Sequence, residues 1–194
     1  MYISIPQTSK NSFKRNESTF VHCKTRDLSD FEKWTFDLYF KQGFLYWDKS
    51  QGTFSSFADA QSWSYDGPTL ITGRNLNLGD SESTFINHRS DYFTEKRTGY
   101  IKIETPGTYT FSGQADDTGG LMVNGVTGYI TWSGIKDYLT ITFDKPGFYP
   151  FEYYHGENDG GQIAEVYWTT PTNSSRVSVP YEVLYYNTKE YSGE

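Results

Sequence analysis

Along most of the chain, apolar positions recur every second residue in short runs, and the runs end at glycine, proline, asparagine or aspartate. The clearest run is Thr108 to Ala115, where Tyr109, Phe111, Gly113 and Ala115 share one face and Thr108, Thr110, Ser112 and Gln114 the other. That is the period of a half-buried antiparallel strand. Tyr138–Phe143, Phe148–Tyr154, Ile163–Trp168 and Val177–Leu184 read the same way, and Phe93–Glu104 gives a longer strand carrying Ile101 and Ile103 on one face. Pro106-Gly107, Asn124-Gly125 and Pro146-Gly147 punctuate them as turns. About ten short strands at regular spacing predict an all-β antiparallel sandwich or barrel.

Before residue 93 the pattern is looser. Phe44–Trp47, Thr69–Thr72 and Phe85–Asn87 are short strand candidates, and Phe57–Trp63 suits a single helical turn inside a loop-rich stretch. Leu28, Phe31, Trp34 and Leu38 fit a helix capped by Asp30, while Trp34, Phe36, Leu38 and Phe40 fit a strand, which we favour. Residues 1–35 are polar and irregular and read as an extended N-terminal arm, a candidate tether to neighbouring subunits; residues 36–188 form the sandwich and 189–194 a tail.

Composition agrees with a thin aromatic core: 17 Tyr, 14 Phe and 5 Trp among 194 residues, with 18 Gly. The net charge of −7 argues against a nucleic-acid partner, which needs a basic surface. One cysteine, Cys23, cannot form an internal disulfide. No apolar stretch approaches the ~20 residues of a membrane span, so no membrane insertion is expected. Met1-Tyr-Ile-Ser-Ile-Pro-Gln lacks a basic segment followed by an apolar run and is not read as a signal peptide. Asn16-Glu-Ser18 and Asn173-Ser-Ser175 match the glycan acceptor pattern, which arises often by chance.

Two loops carry the candidate chemistry. Asp116-Asp117 ends the cleanest strand. By alternation the two side chains point to opposite faces, Asp117 inward and Asp116 outward; brought to one side they would repel unless a cation sat between them. Hard oxygen ligands of this kind suit Ca2+. The second loop, Glu157-Asn158-Asp159-Gly160-Gly161-Gln162, is again oxygen-rich but lacks the alternating acids and closing Glu of an EF-hand. His22, His88 and His155 lie in no zinc or protease spacing, and neither a Gly-x-Ser-x-Gly nor a phosphate loop occurs, so no catalytic set emerges. Trp132, Tyr129, Tyr154 and Tyr92 are aromatics placed to flank the loop end, where a ring can stack on the apolar face of a sugar.

Gly99-Tyr-Ile-Lys-Ile, Pro106-Gly-Thr-Tyr-Thr-Phe, Asp116-Asp117 with Leu121–Gly125, Phe143–Tyr154, Gly160-Gly161 leading into Ala164-Glu-Val-Tyr-Trp168, and the closing Val179–Leu184 together resemble the PA14 domain family. This β-sandwich, of jelly-roll type, occurs in a bacterial toxin's protective antigen, in yeast flocculins and in bacterial adhesins. The likeness spans roughly residues 36–186 and is strongest after residue 93. It implies that two loops bind one Ca2+, the first through an acid pair joined by a cis peptide, which falls on Asp116 and Asp117 and would turn both carboxylates toward one ion. Asn158 and Asp159 are the nearest matches in the second loop. Vicinal hydroxyls of a sugar then complete the calcium shell, with Trp132, Tyr154, His155, Glu157 and Gln162 as the candidate ligand-binding residues. Gly119-Gly120-Leu121-Met122 stands where an aromatic-containing run is more usual, and the second loop is not asparagine-led.

The expected function is non-catalytic, calcium-dependent carbohydrate binding that attaches its carrier to a cell surface, outside the cell or on a virion. The alternative is a structural decoration or adaptor in a virion or surface assembly. An accessory module of an enzyme is the third reading.

Overall fold

The computed structural model describes residues 39–191. The arm at 1–35, Cys23 and most of the contested segment 28–42 lie outside the described residues. Within them run twelve strands: β1 (Phe40–Gln42), β2 (Phe44–Lys49), β3 (Asp66–Ile71), β4 (Phe93–Ile103), β5 (Gly107–Asp116), β6 (Thr118–Val123), β7 (Val126–Thr131), β8 (Lys136–Phe143), β9 (Gly147–Glu157), β10 (Ile163–Thr170), β11 (Asn173–Ser178) and β12 (Leu184–Asn187). One short helix, α1 (Phe57–Ser62), lies between β2 and β3. Among the described residues no helix is long and apolar enough to cross a membrane.

The strands make two antiparallel sheets. The eight-stranded sheet runs β1-β12-β4-β9-β6-β7, with β2 and β3 added beside β4; the four-stranded sheet runs β11-β10-β5-β8. Their inner faces close on one core. Ile101, Ile103, Leu121, Val123, Phe151 and Tyr153 come from the large sheet, and Phe111, Leu139, Ile141, Phe143, Val166 and Trp168 from the small one. The alternation expected for 108–115, 138–143 and 163–168 is the alternation of this inner face.

The β6–β7 hairpin turns at Asn124 and Gly125, both at positive φ (48° and 82°), as a two-residue hairpin turn requires. Phe85–Asn87, expected as a strand, is irregular: a 3-10 turn at Glu82–Thr84 precedes it. Phe85 instead drops fully buried into a small cluster with Leu78, Phe93 and Ala164.

The outer face of the large sheet has its own cover. Ser56 caps α1, its hydroxyl accepting from the Asp59 amide at 3.1 Å, and Asp59 reaches back to the Ser55 amide at 2.8 Å. That fixes a helix of only six residues so that Phe57 and Ala60, with Phe54, pack on Tyr154. From Tyr153 to Glu157, β9 is therefore buried on both faces.

Candidate functional site: two acid loops at one end of the sandwich

The chain crosses between sheets twice at the same end. β5 of the small sheet passes into β6 of the large one at Asp116-Asp117, and β9 of the large sheet passes into β10 of the small one through residues 158–162. Because β6 pairs with β9 and β5 with β10, the two crossings lie side by side. Thr118 sits opposite Gly156, and Asp116 opposite Ile163.

The Asp116-Asp117 peptide is cis. Backbone bonds tie the pair down from both sides. The Asp117 amide donates to the Gly156 carbonyl (3.1 Å), the Asp117 carbonyl accepts from the Trp132 amide (2.7 Å), and Asp117 Oδ2 accepts from the Asn158 amide (2.8 Å). Carboxylate oxygens of Asp116, Asp117 and Glu157 all lie within 4.8 Å of one another. The two loops meet, and the outward-versus-inward split expected for the two aspartates gives way to a shared cluster.

Glu157 is the centre of this cluster. It is fully buried, and neither of its carboxylate oxygens has a hydrogen-bond partner among the described residues. Burial pushes its carboxyl up to about 9, and the neighbouring Asp117, Asp116, Asp91 and Asp159 add to the rise. Burial, then the Asp117 charge, also raises Asp116, against the pull of His155. An unpartnered buried carboxylate facing two more is costly on its own, and a cation removes that cost. Three hard oxygen donors of this kind fit Ca2+.

The other expected ligands fall into three groups. Asn158 is half-buried and engaged through its backbone, its carbonyl accepting from the Tyr92 amide at 3.0 Å. Asp159 is exposed at the rim. Tyr154 and His155 lie beneath the loops rather than at their mouth. Tyr154 is fully buried against Phe54 and Phe57 with its hydroxyl on Glu152 (2.7 Å), and His155 is fully buried on the opposite face of β9. Gln162 is also buried, and its amide donates to the Ser90 carbonyl.

That last bond belongs to a third loop, of which the sequence pointed only to Tyr92. Ser90, Asp91 and Tyr92 clasp the second loop, Asp91 Oδ1 accepting from the Gly160 amide at 3.2 Å. The signal for it was the strand pairing itself: β4 opens with Phe93 opposite Glu157, so whatever precedes β4 must lie beside the second loop.

Trp132 is about half exposed (51%). It walls an open groove of about 510 Å3 that begins at Asp117 and is lined by Thr53, Phe54, Asp59, Tyr129 and Trp132. Tyr129 is held there by its hydroxyl on the Phe54 carbonyl, at 2.9 Å. The wall from Thr53 to Asp59 comes from the loop-rich stretch whose one expected helical turn, Phe57–Trp63, is α1.

Two antiparallel sheets, packed face to face and presenting two acid-bearing crossings at one end, define a loop-presenting β-sandwich. The PA14 domain model matches residues 49–181, and the chain belongs to that family. Solved structures agree on the fold. The PA14 domain of the MpAFP antifreeze protein aligns at 15% identity over 76% of this chain and 92% of its own, TM-score 0.59. The PA14 sugar-binding domain of an RTX adhesin aligns at 17% identity over 75% and 98%, TM-score 0.59. The Epithelial Adhesin 9 A domain from Candida glabrata, solved in complex with Galβ1-3GlcNAc, aligns at 14% identity over 76% and 90%, TM-score 0.60. No curated protein matches the chain.

Proposed function

We propose that this chain is a non-catalytic, calcium-dependent carbohydrate-binding module that attaches its carrier to a glycan-bearing cell surface. The observation that carries the reading is Glu157, buried, unpartnered and within 4.8 Å of two further carboxylates at the head of an aromatic-walled groove. Asp116, Asp117 and Glu157 would hold the ion, with Asp159 and Asn158 at the rim. A bound Ca2+ supplies coordination positions that vicinal sugar hydroxyls can fill. The chain's own side chains do the rest. Trp132 offers a flat ring to the apolar face of a pyranose, and Tyr129 and Asp59 add polar groups to the groove's lining. Glu157 and Gln162, expected at the sugar, act here as ion ligand and loop clasp. The RTX adhesin and epithelial adhesin domains with the same fold are described as sugar-binding or carry a disaccharide, which supports the same use. An extracellular or virion setting follows from that use. Residues 1–35 would tether the module to neighbouring subunits in such a setting.

The test is a calorimetric Ca2+ titration of the wild type and Asp117→Asn, followed by a glycan array with Ca2+ or EDTA. The expected result is micromolar to millimolar Ca2+ affinity that the substitution removes, and glycan retention only with Ca2+. Absence of Ca2+ affinity in the wild type, or glycan retention unchanged in EDTA, overturns the proposal.

A further inference from the structure

Behind the acid pair, a line of buried polar side chains runs through the sandwich and ends on one backbone atom. His155 Nε2 lies 2.8 Å from the carbonyl oxygen of Asp116. A carbonyl only accepts, so the ring carries its hydrogen on Nε2. The imidazole is fully buried and packed between Phe85 and Phe93, with ring centroids 5.4 and 5.6 Å away. On its other side Nδ1 is 3.7 Å from Glu95 Oε1, an electrostatic contact too long for a hydrogen bond. Glu95 is ion-paired to Arg97, which also donates to the Leu76 carbonyl and lies 4.9 Å over the Tyr153 ring.

This order is written into strand pairing. β4 sets Glu95 opposite His155 and Arg97 opposite Tyr153, all on the inner face. An apolar ring in place of His155 would fill the same slot between Phe85 and Phe93 and would not bury the unpartnered Nδ1, a polar atom that costs stability there. Packing therefore does not account for the imidazole. What distinguishes it is the bond to Asp116.

We infer that His155 is the positioning residue of the loop end: its Nε2–H fixes the Asp116 backbone from inside the sandwich, so that the Asp116 and Asp117 carboxylates stand beside Glu157 before any ligand arrives. Phe85 and Phe93 hold the ring for that task. His155 thus touches neither ion nor sugar. The affinity arm of the test rests on the cation reading above; the exchange arm does not.

The experiment compares His155→Phe, which keeps the ring and loses the donor, with His155→Gln, whose amide nitrogen restores a donor at similar reach. Amide hydrogen exchange is read at Asp117, Asn158 and Trp132, whose N–H groups bond within the loop end, and at Phe151 and Val166 as core references. Terbium luminescence and Ca2+ calorimetry report cation affinity. The expected result for His155→Phe is an unchanged core but exchange at the three loop amides faster by about tenfold, with cation affinity down roughly 10–100-fold, the usual loss when a group that orients metal ligands is removed. His155→Gln recovers most of both. Loop-amide exchange equal to wild type in a folded His155→Phe overturns the inference. If the wild type binds no cation, the function proposed above fails, and the exchange comparison still decides this one. If His155→Phe does not fold, imidazole NMR of the wild type decides. A solvent-protected Nε2–H supports the assignment, and a ring protonated only at Nδ1 overturns it.

Discussion

Glu157 makes a prediction whose sign runs against intuition: Glu157→Gln stabilises the protein when divalent cations are removed. Burial and four neighbouring carboxylates push the Glu157 carboxyl up to about 9 from an ordinary value of 4.5. Between those two values the folded chain holds a proton that the unfolded chain has released. Stability then falls as pH rises, because the unfolded state binds fewer protons. The destabilisation is absent below the unfolded value, grows through neutral pH and levels off above the folded one. One pH unit corresponds to ~1.4 kcal/mol, so raising the pH from about 5.5 to about 7.5 costs the metal-free wild type up to ~2.7 kcal/mol through this group alone. A glutamine has no such titration. It also keeps the size and the polar oxygen, so packing is little changed.

The assay is urea unfolding of both proteins at several pH values, in EDTA and in Ca2+. His155, His88 and every other group are common to the pair, so the difference between the two curves isolates Glu157. In EDTA the advantage of Glu157→Gln should widen by about 1–3 kcal/mol across those two pH units. In Ca2+ it should shrink or reverse, because the ion stabilises only the form that binds it. Parallel wild-type and variant curves in EDTA would refute the reasoning, since they would mean that Glu157 is already paired.

Three further outcomes are expected. Trp132→Ala weakens glycan retention about tenfold or more, ~1.4 kcal/mol, while unfolding free energy moves by no more than ~0.5 kcal/mol, because the ring is half exposed; an array and a melt separate the two. Gly119→Ala places a Cβ 2.1 Å from the buried Tyr138 hydroxyl and 2.9 Å from the Ala115 methyl, and should cost ~1–3 kcal/mol by urea unfolding. Adding Tyr138→Phe should recover part of that loss, since the clashing oxygen is gone. Tyr154→Phe removes a hydroxyl bonded to Glu152 and should leave Ca2+ and glycan titrations unchanged, because the ring lies under the sheet cover and away from the groove.

Much of the fold was legible because half-buried antiparallel strands write a period of two into the chain. Thr108–Ala115, Tyr138–Phe143 and Ile163–Trp168 all fall within β5, β8 and β10. Phe85 was misread because a single side chain plugging a gap has no period, and a 3-10 turn delivers it. The acid pair was legible from Asp116-Asp117 and the family likeness. Its third member was not placed beside it, because Glu157 adjoins Asn158 and Asp159 in sequence and was grouped with the sugar contacts. Alternation already contradicted part of that grouping. Tyr154 and His155 are adjacent in one strand, so they cannot face the same ligand, whereas Phe151, Tyr153, His155 and Glu157 must share a face. The wall from Thr53 to Asp59 reaches the groove only through contacts more than fifty residues distant in sequence, such as Tyr129 with Phe54, which no local pattern encodes.

The shared inner face of β9 also explains why the acids can sit where they do. Along it the residues pass from Phe151 and Tyr153, in the main core, to His155 and then Glu157, at the loop end. The partner strand β4 changes character in step, from Ile103 and Ile101 to Arg97, Glu95 and Phe93. Glu95 sits below the ordinary glutamate range: burial alone would raise it, but the Arg97 charge and then His155 outweigh that. Along one pair of strands, the structure thus holds one buried glutamate with its cation built in and, one His155 further on, another without. Had Glu157 been only a structural acid, the strand pair could have given it the solution it gives Glu95, an arginine on the same inner face. It faces Phe93 instead, with Asp116 and Asp117 across the crossing and no cationic side chain among the described residues that lowers it; in the function proposed above, a bound cation supplies that charge.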